Sequence, residues 1–333
     1  MKKTISVILS VVMLVCCVLP AFAETAQTDG SFGAYKHVFI IGVDGAGRFF
    51  KDADTPNFDR IFADGAVDYT ARAEIITTSA QNWGAILTGV SYLTHGLTNE
   101  ITGQKERTSG TEYPSIFTYA RQAFPDAELA SIVHWDNINY GIIENDIGVT
   151  KDNGSDEEVT QKICDYFNAG NQPSLFFVQL DDVDHVGHSL GSKAPEFFAQ
   201  IETVDAQLGR IYDAIDANGL MEDGLFIVVA DHGHTIKGGH GGLTMRETNV
   251  TLALTGKTVV KGSTLDKSAR NRDVAAIALY ALGIERPEYM SARLPANLFE
   301  GVAGEKRPVT KDSGDFILSA LSWIITLITG IIG

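Results

Sequence analysis

Cysteine is scarce. The 333-residue chain has three, and Cys16 and Cys17 lie in an apolar N-terminal run. Only Cys164 lies beyond that run. A lone thiol forms no internal disulfide, so the fold must rest on its core, helped by any metal it binds. Positive charge is scarce as well: 26 Lys and Arg against 42 Asp and Glu give a formal charge of -16. Without a basic excess the chain lacks the footprint that phosphate backbones attract, which argues against long nucleic acids as substrates. A small anionic ester remains compatible, because bound cations offset local negative charge. Internal repeats and long low-complexity segments are absent, and the span between the two ends suffices for one large core.

The two ends are unlike the middle. Residues 1–23 begin with Lys2 and Lys3, continue through an apolar stretch from Ile5 to Leu19, and finish Ala21-Phe22-Ala23. That order reads as an export signal; the apolar run is short for a membrane span. Its removal takes two lysines and no acid, moving the charge from -16 to -18. At the other end, residues 301–315 read as a polar linker, and Phe316 to Gly333 carries no charge. As a helix rising ~1.5 Å per residue, that segment just spans a thin bilayer core. Ser319, Ser322, Thr326 and Thr329 form a polar stripe that also fits a helix lying in the interface or docked on the domain. Lys306, Arg307 and Lys311 precede it, placed for anionic headgroups. The expected organisation is therefore an exported, extracytoplasmic domain over 34–300, associated with a membrane through its C-terminal segment.

Within the domain, apolar runs alternate with amphipathic ones. Strands are expected at His37–Val43, Leu129–Val133, Ser174–Leu180, Leu225–Ala230 and Val250–Leu254. Helices are expected at Pro56–Ala63, from near Ser79 through Leu87, at Asp156–Phe167, Ala194–Asn218 and Arg272–Leu282. Short, continuously apolar strands separated by helices predict an α/β fold, a mainly parallel central sheet with helices on both faces. Such sheets place ligands at the carboxyl ends of their strands.

The chemistry-bearing residues fall there. Asp44 follows the first strand. Asp181, Asp182 and Asp184-His-Val-Gly-His188 follow the strand ending at Leu180. Asp231-His232-Gly233-His234 follows Ala230, with His240-Gly241-Gly242 close behind. Five of the eight histidines lie between His185 and His240. Each piece alone reads equally well as a capped turn or a solvated acidic loop. Three acid/histidine clusters after three strands instead predict a metal centre with oxygen and nitrogen ligands, which suits zinc. Ser79 opens a helical run in Thr77-Thr78-Ser79-Ala80-Gln81-Asn82-Trp83, where positive potential at a helix start favours anions.

In order, Asp44, the Ser79 segment ending in Leu87-Thr88-Gly89, Asp184-x-x-x-His188, Asp231-His232-Gly233 and His240-Gly241 resemble the motif series of the alkaline phosphatase superfamily. They most resemble its type I phosphodiesterase/nucleotide pyrophosphatase branch. The resemblance covers most of residues 36–300, including Thr55-Pro56-Asn57-Phe58-Asp59 and Thr94-His95-Gly96. It implies an alkaline-phosphatase-like three-layer sandwich and two divalent metal ions. Asp184, His188 and His240 would hold one. Asp44, Asp231 and His232 would hold the other, facing Ser79 as nucleophile. Asn82 would contact a non-bridging phosphate oxygen. Serine at position 79 departs from the threonine usual in this branch. The stretch Ser79-Ala-Gln-Asn-Trp83 lacks the proline and arginine of sulfatase motifs, which argues against sulfate transfer. The 104 residues between Ser79 and Asp184 are filled by sheet elements, leaving little room for the cap of the related mutases.

The reaction implied is cleavage of a small phosphodiester or pyrophosphate through a phosphoseryl intermediate. A phosphomonoesterase would use the same metals with an added cation, for which Lys105, Arg107, Lys237 and Arg246 are candidates. A reading of another class is a non-catalytic, membrane-tethered binding module that retains the fold.

Overall fold

The computed structural model describes residues 30–307 and, beyond them, Ile324 alone. The export signal and almost all of the apolar C-terminal segment thus lie outside the described residues. Among the described residues, no helix is long and apolar enough to cross a membrane.

Seven strands form one sheet: β1 (His37–Val43), β2 (Ala66–Arg72), β3 (Leu129–Val133), β4 (Thr150–Asn153), β5 (Leu175–Leu180), β6 (Gly224–Ala230) and β7 (Asn249–Thr255). Their spatial order is β2-β7-β6-β1-β5-β3-β4. From β6 to β4 every pairing is parallel; β7 runs antiparallel to both β6 and β2. The centre of the sheet is apolar on both faces, with Val38, Phe39, Ile40, Ile41 and Val43 of β1 fully buried. Burying each such side chain is worth ~1.5–3 kcal/mol.

Helices supply the outer layers. The Pro195–Ala217 helix buries Phe197, Ile201, Val204, Leu208, Ile211 and Ile215, a 3–4 spacing that makes one apolar stripe. Asp205 on the same helix is buried for another reason. Its carboxylate accepts the backbone N–H groups of Asn57 and Phe58, at 3.0 and 2.7 Å, satisfying the exposed start of the Pro56–Ile61 helix.

Two strands escape the apolar-run criterion. β4, Thr-Lys-Asp-Asn, is a mostly exposed polar edge strand. β2 carries Asp68 and Arg72 and is bulged between Asp68 and Ala71. The folded body also runs further than the expected domain end. Glu305 pairs with Arg286, and Arg307 donates to Asp273 at 2.9 Å. Residues 301–307, read from sequence as linker, are therefore docked, and Arg307 is engaged by Asp273 rather than left for lipid headgroups.

Candidate metal centre

Strand register assembles the site. Val43 at the end of β1 pairs with Leu180 of β5 and Ala230 of β6. The next residues, Asp44, Asp181 and Asp231, therefore emerge side by side at one edge of the sheet. Ser79, the first residue of the Ser79–Thr88 helix, faces the same edge, with its Oγ 3.4 Å from His232 Nε2.

Two ligand sets converge. In the first, His232 Nε2 lies 3.1 Å from Asp231 Oδ2 and 3.5 Å from Asp44 Oδ1. In the second, His188 Nε2 lies 3.3 Å from Asp184 Oδ2 and 2.9 Å from His240 Nε2, which is 3.4 Å from Asp184 Oδ1. Ligands ~2.0–2.2 Å from a tetrahedral ion stand ~3.3 Å apart, so both sets fit divalent-ion spacing. The rings of His232 and His240 stack at 3.8 Å, setting the two sets back to back.

Three features favour a cation. Asp44 Oδ1 and Asp231 Oδ2 are buried and lack a hydrogen-bond partner, yet both aim at His232. Such atoms are costly unless a bound ion occupies the space between them. Burial and the neighbouring carboxylates of Asp231, Asp184 and Asp181 push the Asp44 carboxyl well above the usual range. Burial does the same to Asp231 and pushes His232 well below its ordinary value. Finally, the ring N–H at Nδ1 of His240 donates to the carbonyl of Thr77, so Nε2 presents its lone pair to the centre.

Supporting residues fix these ligands; sequence reading named His234 and Trp83 without assigning them this role, and missed Gln179. Trp83 Nε1 and Gln179 Nε2 both donate to Asp44 Oδ2, at 2.8 and 3.1 Å, leaving Oδ1 to face His232. Gly42 in β1 permits this, since a Cβ there would lie 2.3 Å from the Trp83 ring. A lone glycine and a lone glutamine inside two apolar strands were the available signals. His234 is fully buried, with Nε2 2.9 Å from Asp184 Oδ1. Gly187 makes room for that ring, which a Cβ would approach to 2.4 Å. Burial alone would raise the Asp184 carboxyl, but its bonds with His188 and His234 hold it well below the usual range.

Asn82 does not take the place implied by the resemblance. It is fully buried. Its Oδ1 accepts from the Glu74 N–H at 2.8 Å and from Asn271 Nδ2 at 2.9 Å. Its Nδ2 donates to the carbonyls of Ile76 and Thr78, at 3.2 and 3.0 Å. Both amide protons are committed, so Asn82 braces the loop before Ser79 and has no donor left for phosphate. The exposed Asn99 instead accepts the Ala80 N–H at 2.9 Å, which brings its amide beside Ser79.

Of the four cationic candidates, Arg107 is held by Thr111 and the Tyr113 carbonyl, and lies 3.5 Å from Glu144. Arg246 stacks on Phe49 at 4.8 Å and donates to Ser192. Lys105 and Lys237 are exposed.

The chain is similar to known proteins in sequence and in fold. The chain is similar to GPI ethanolamine phosphate transferase 1 from Candida glabrata, 24% identical over 186 residues, 50% of this chain and 20% of that protein. It is similar to alkaline phosphatase PhoK from Sphingomonas sp., 33% identical over 88 residues, 26% of this chain and 15% of that one. The chain thus spans a fifth or less of the length of these curated relatives. Among solved structures, an inactive variant of murine ectonucleotide pyrophosphatase/phosphodiesterase 5, in complex with AMP, superposes with a TM-score of 0.61. It is 14% identical, covering 76% of this chain and 96% of its own. A 2-O glycosaminoglycan sulfatase gives 0.61 at 11% identity, covering 78% and 73%. These likenesses carry the fold. The family itself is carried by the sequence model for type I phosphodiesterase/nucleotide pyrophosphatase, which matches residues 38–237, more than half of the chain and every strand-end cluster up to His234. The chain belongs to the type I phosphodiesterase/nucleotide pyrophosphatase family.

Proposed function

We propose that this protein cleaves a small phosphodiester by double displacement, with Ser79 as nucleophile and two divalent ions, zinc by ligand chemistry, held by Asp44/Asp231/His232 and Asp184/His188/His240. The observation that carries the reading is Ser79 Oγ set 3.4 Å from His232 Nε2, at the edge of the first ligand set and with the second stacked behind it. When bound, the ions supply Lewis-acid stabilisation of the attacking and leaving oxygens. The chain supplies the rest. Ser79 Oγ bonds to phosphorus as the bond to the departing alcohol breaks, and water then cleaves the phosphoserine and restores the hydroxyl. The Asn99 amide, aligned through Ala80, donates to an equatorial phosphate oxygen. Trp83 and Gln179 orient Asp44, and Thr77 orients His240.

A diester is favoured over a monoester because, of the four cationic candidates, Arg107 and Arg246 are already engaged by other groups and Lys105 and Lys237 are exposed. We further propose export, with membrane association through the C-terminal segment.

The test compares aryl phosphate monoesters and diesters on zinc-loaded protein, beside Ser79→Ala and Thr78→Ala. Diester preference, loss of turnover in Ser79→Ala with both ions retained, and a mild Thr78→Ala effect are expected. Near wild-type turnover in Ser79→Ala overturns the nucleophile. Two bound ions with no cleavage of any ester would favour the binding module.

A further inference from the structure

We infer that the chain carries a third cation site, for a transition-type divalent ion, built from His134, Asp181 and His185 and separate from both ligand sets above. His134 follows β3, whose last residue, Val133, pairs with Gln179 of β5. The cluster therefore sits at the same sheet edge as the metal centre, one strand over. Donor atoms of His134, Asp181 and His185 all lie within 4.8 Å of one another. His185 Nε2 is 3.0 Å from Asp181 Oδ2, a separation that two ligands of one small ion adopt. The rings of His134 and His185 meet edge to face at 5.4 Å.

The ordinary alternative is an acidic helix start with histidines as incidental ion-pair partners. A second observation separates the readings. Asp156 is fully buried, and its Oδ1 accepts from His134 Nδ1 at 2.7 Å. The same carboxylate accepts the backbone N–H groups of Asp181 and Asp182, at 2.7 and 3.0 Å. One interior carboxylate thus sets the tautomer of His134, leaving Nε2 as a lone-pair donor, and fixes the turn that carries Asp181. A buried carboxylate behind an imidazole is the arrangement by which proteins orient metal-binding histidines. Two imidazoles and one carboxylate suit zinc, cobalt or manganese better than magnesium or an organic ammonium. His185 is largely exposed, with 59% of its side chain accessible, so this ion exchanges faster than one held by the buried Asp44, Asp231 and His232.

The site is wired to the main centre. Gln179 Nε2 donates both to Asp181 Oδ1, at 2.6 Å, and to Asp44 Oδ2, at 3.1 Å. An ion on Asp181 holds that carboxylate and, through one amide, the orientation of Asp44.

Equilibrium dialysis of the full chain against zinc, followed by elemental analysis, tests the inference on the wild type, His185→Ala and His134→Ala/His185→Ala. Each variant is expected to bind one ion fewer than wild type. Equal counts in wild type and variants overturn the site. His185→Ala alone keeps the test decisive if the double variant does not fold, because His185 is exposed. The inference stands apart from the reading of the main centre: the difference between proteins tests the third site, whereas the ions remaining in the variants test the pair.

Discussion

Trp83 donates its indole N–H to Asp44 Oδ2 at 2.8 Å from a fully buried ring lying over Gly42. A tryptophan in the Ser79–Thr88 helix thereby orients a carboxylate at the end of β1. Trp83→Phe keeps most of the packing and removes this bond. Such supporting contacts are worth about 10- to 100-fold in metal affinity or activity. Chelator competition should show a drop of that size in affinity for the ion proposed at Asp44, Asp231 and His232. Unchanged affinity and turnover would mean that Gln179 alone orients Asp44.

Asn82 is committed to the loop before Ser79, and the phosphate contact that the resemblance implied for it is proposed for Asn99 instead. Asn82→Ala removes the side-chain acceptor of the buried Glu74 N–H and one of the two bonds at each of the Ile76 and Thr78 carbonyls, so it should destabilise the fold by ~1–3 kcal/mol. Asn99→Ala should leave thermal stability nearly unchanged and lower kcat by about 10²-fold, the scale of one donor to developing charge. Melting curves and steady-state rates on both variants distinguish the roles. A stable, inactive Asn82→Ala beside an active Asn99→Ala would reverse the assignment.

Acid should weaken the C-terminal edge of the domain through Asp266. Burial by itself would raise this carboxyl, but bonds from Arg293, Ser268 and the Ala296 N–H hold it well below the usual range. A carboxyl depressed on folding contributes stability that is present above its unfolded value, ~3.9, and is lost as pH falls toward the folded one. Thermal midpoints from about pH 6 to about pH 3 should fall more steeply for wild type than for Asp266→Asn. Parallel curves would show that this ion pair has no part in acid stability.

Truncation after Gly314 removes the apolar C-terminal segment and keeps Glu305 and Arg307 docked on Arg286 and Asp273. Fractionation of expressing cells should find the truncated protein soluble, with specific activity nearly unchanged. Cutting before Glu305 should instead lower the melting temperature, since both ion pairs are lost. Unfolding after the Gly314 cut would make the segment part of the core and end the anchor proposal.

Much was legible in the chain itself, because parallel sheets write themselves into local sequence. Continuous apolar runs must be buried on both faces, so five strands and the α/β class followed from β1, β3, β5, β6 and β7. Acids and histidines placed directly after such runs marked three candidate clusters without knowledge of distances, and the family resemblance picked Asp44, Asp184, His188, Asp231, His232 and His240 from them. Only the tertiary structure decided what those residues touch. Register set Asp44, Asp181 and Asp231 level, and no single segment encodes register between strands distant in sequence. The assignment of Asn82 failed for the same reason: its buried partner Asn271 lies 189 positions away, and hydrogen-bond satisfaction is a property of the assembled interior. Trp83, Gln179, Asp156 and His134 acquire their roles only where β1, β3 and β5 lie side by side, since orienting a ligand is a matter of angles that folding alone fixes.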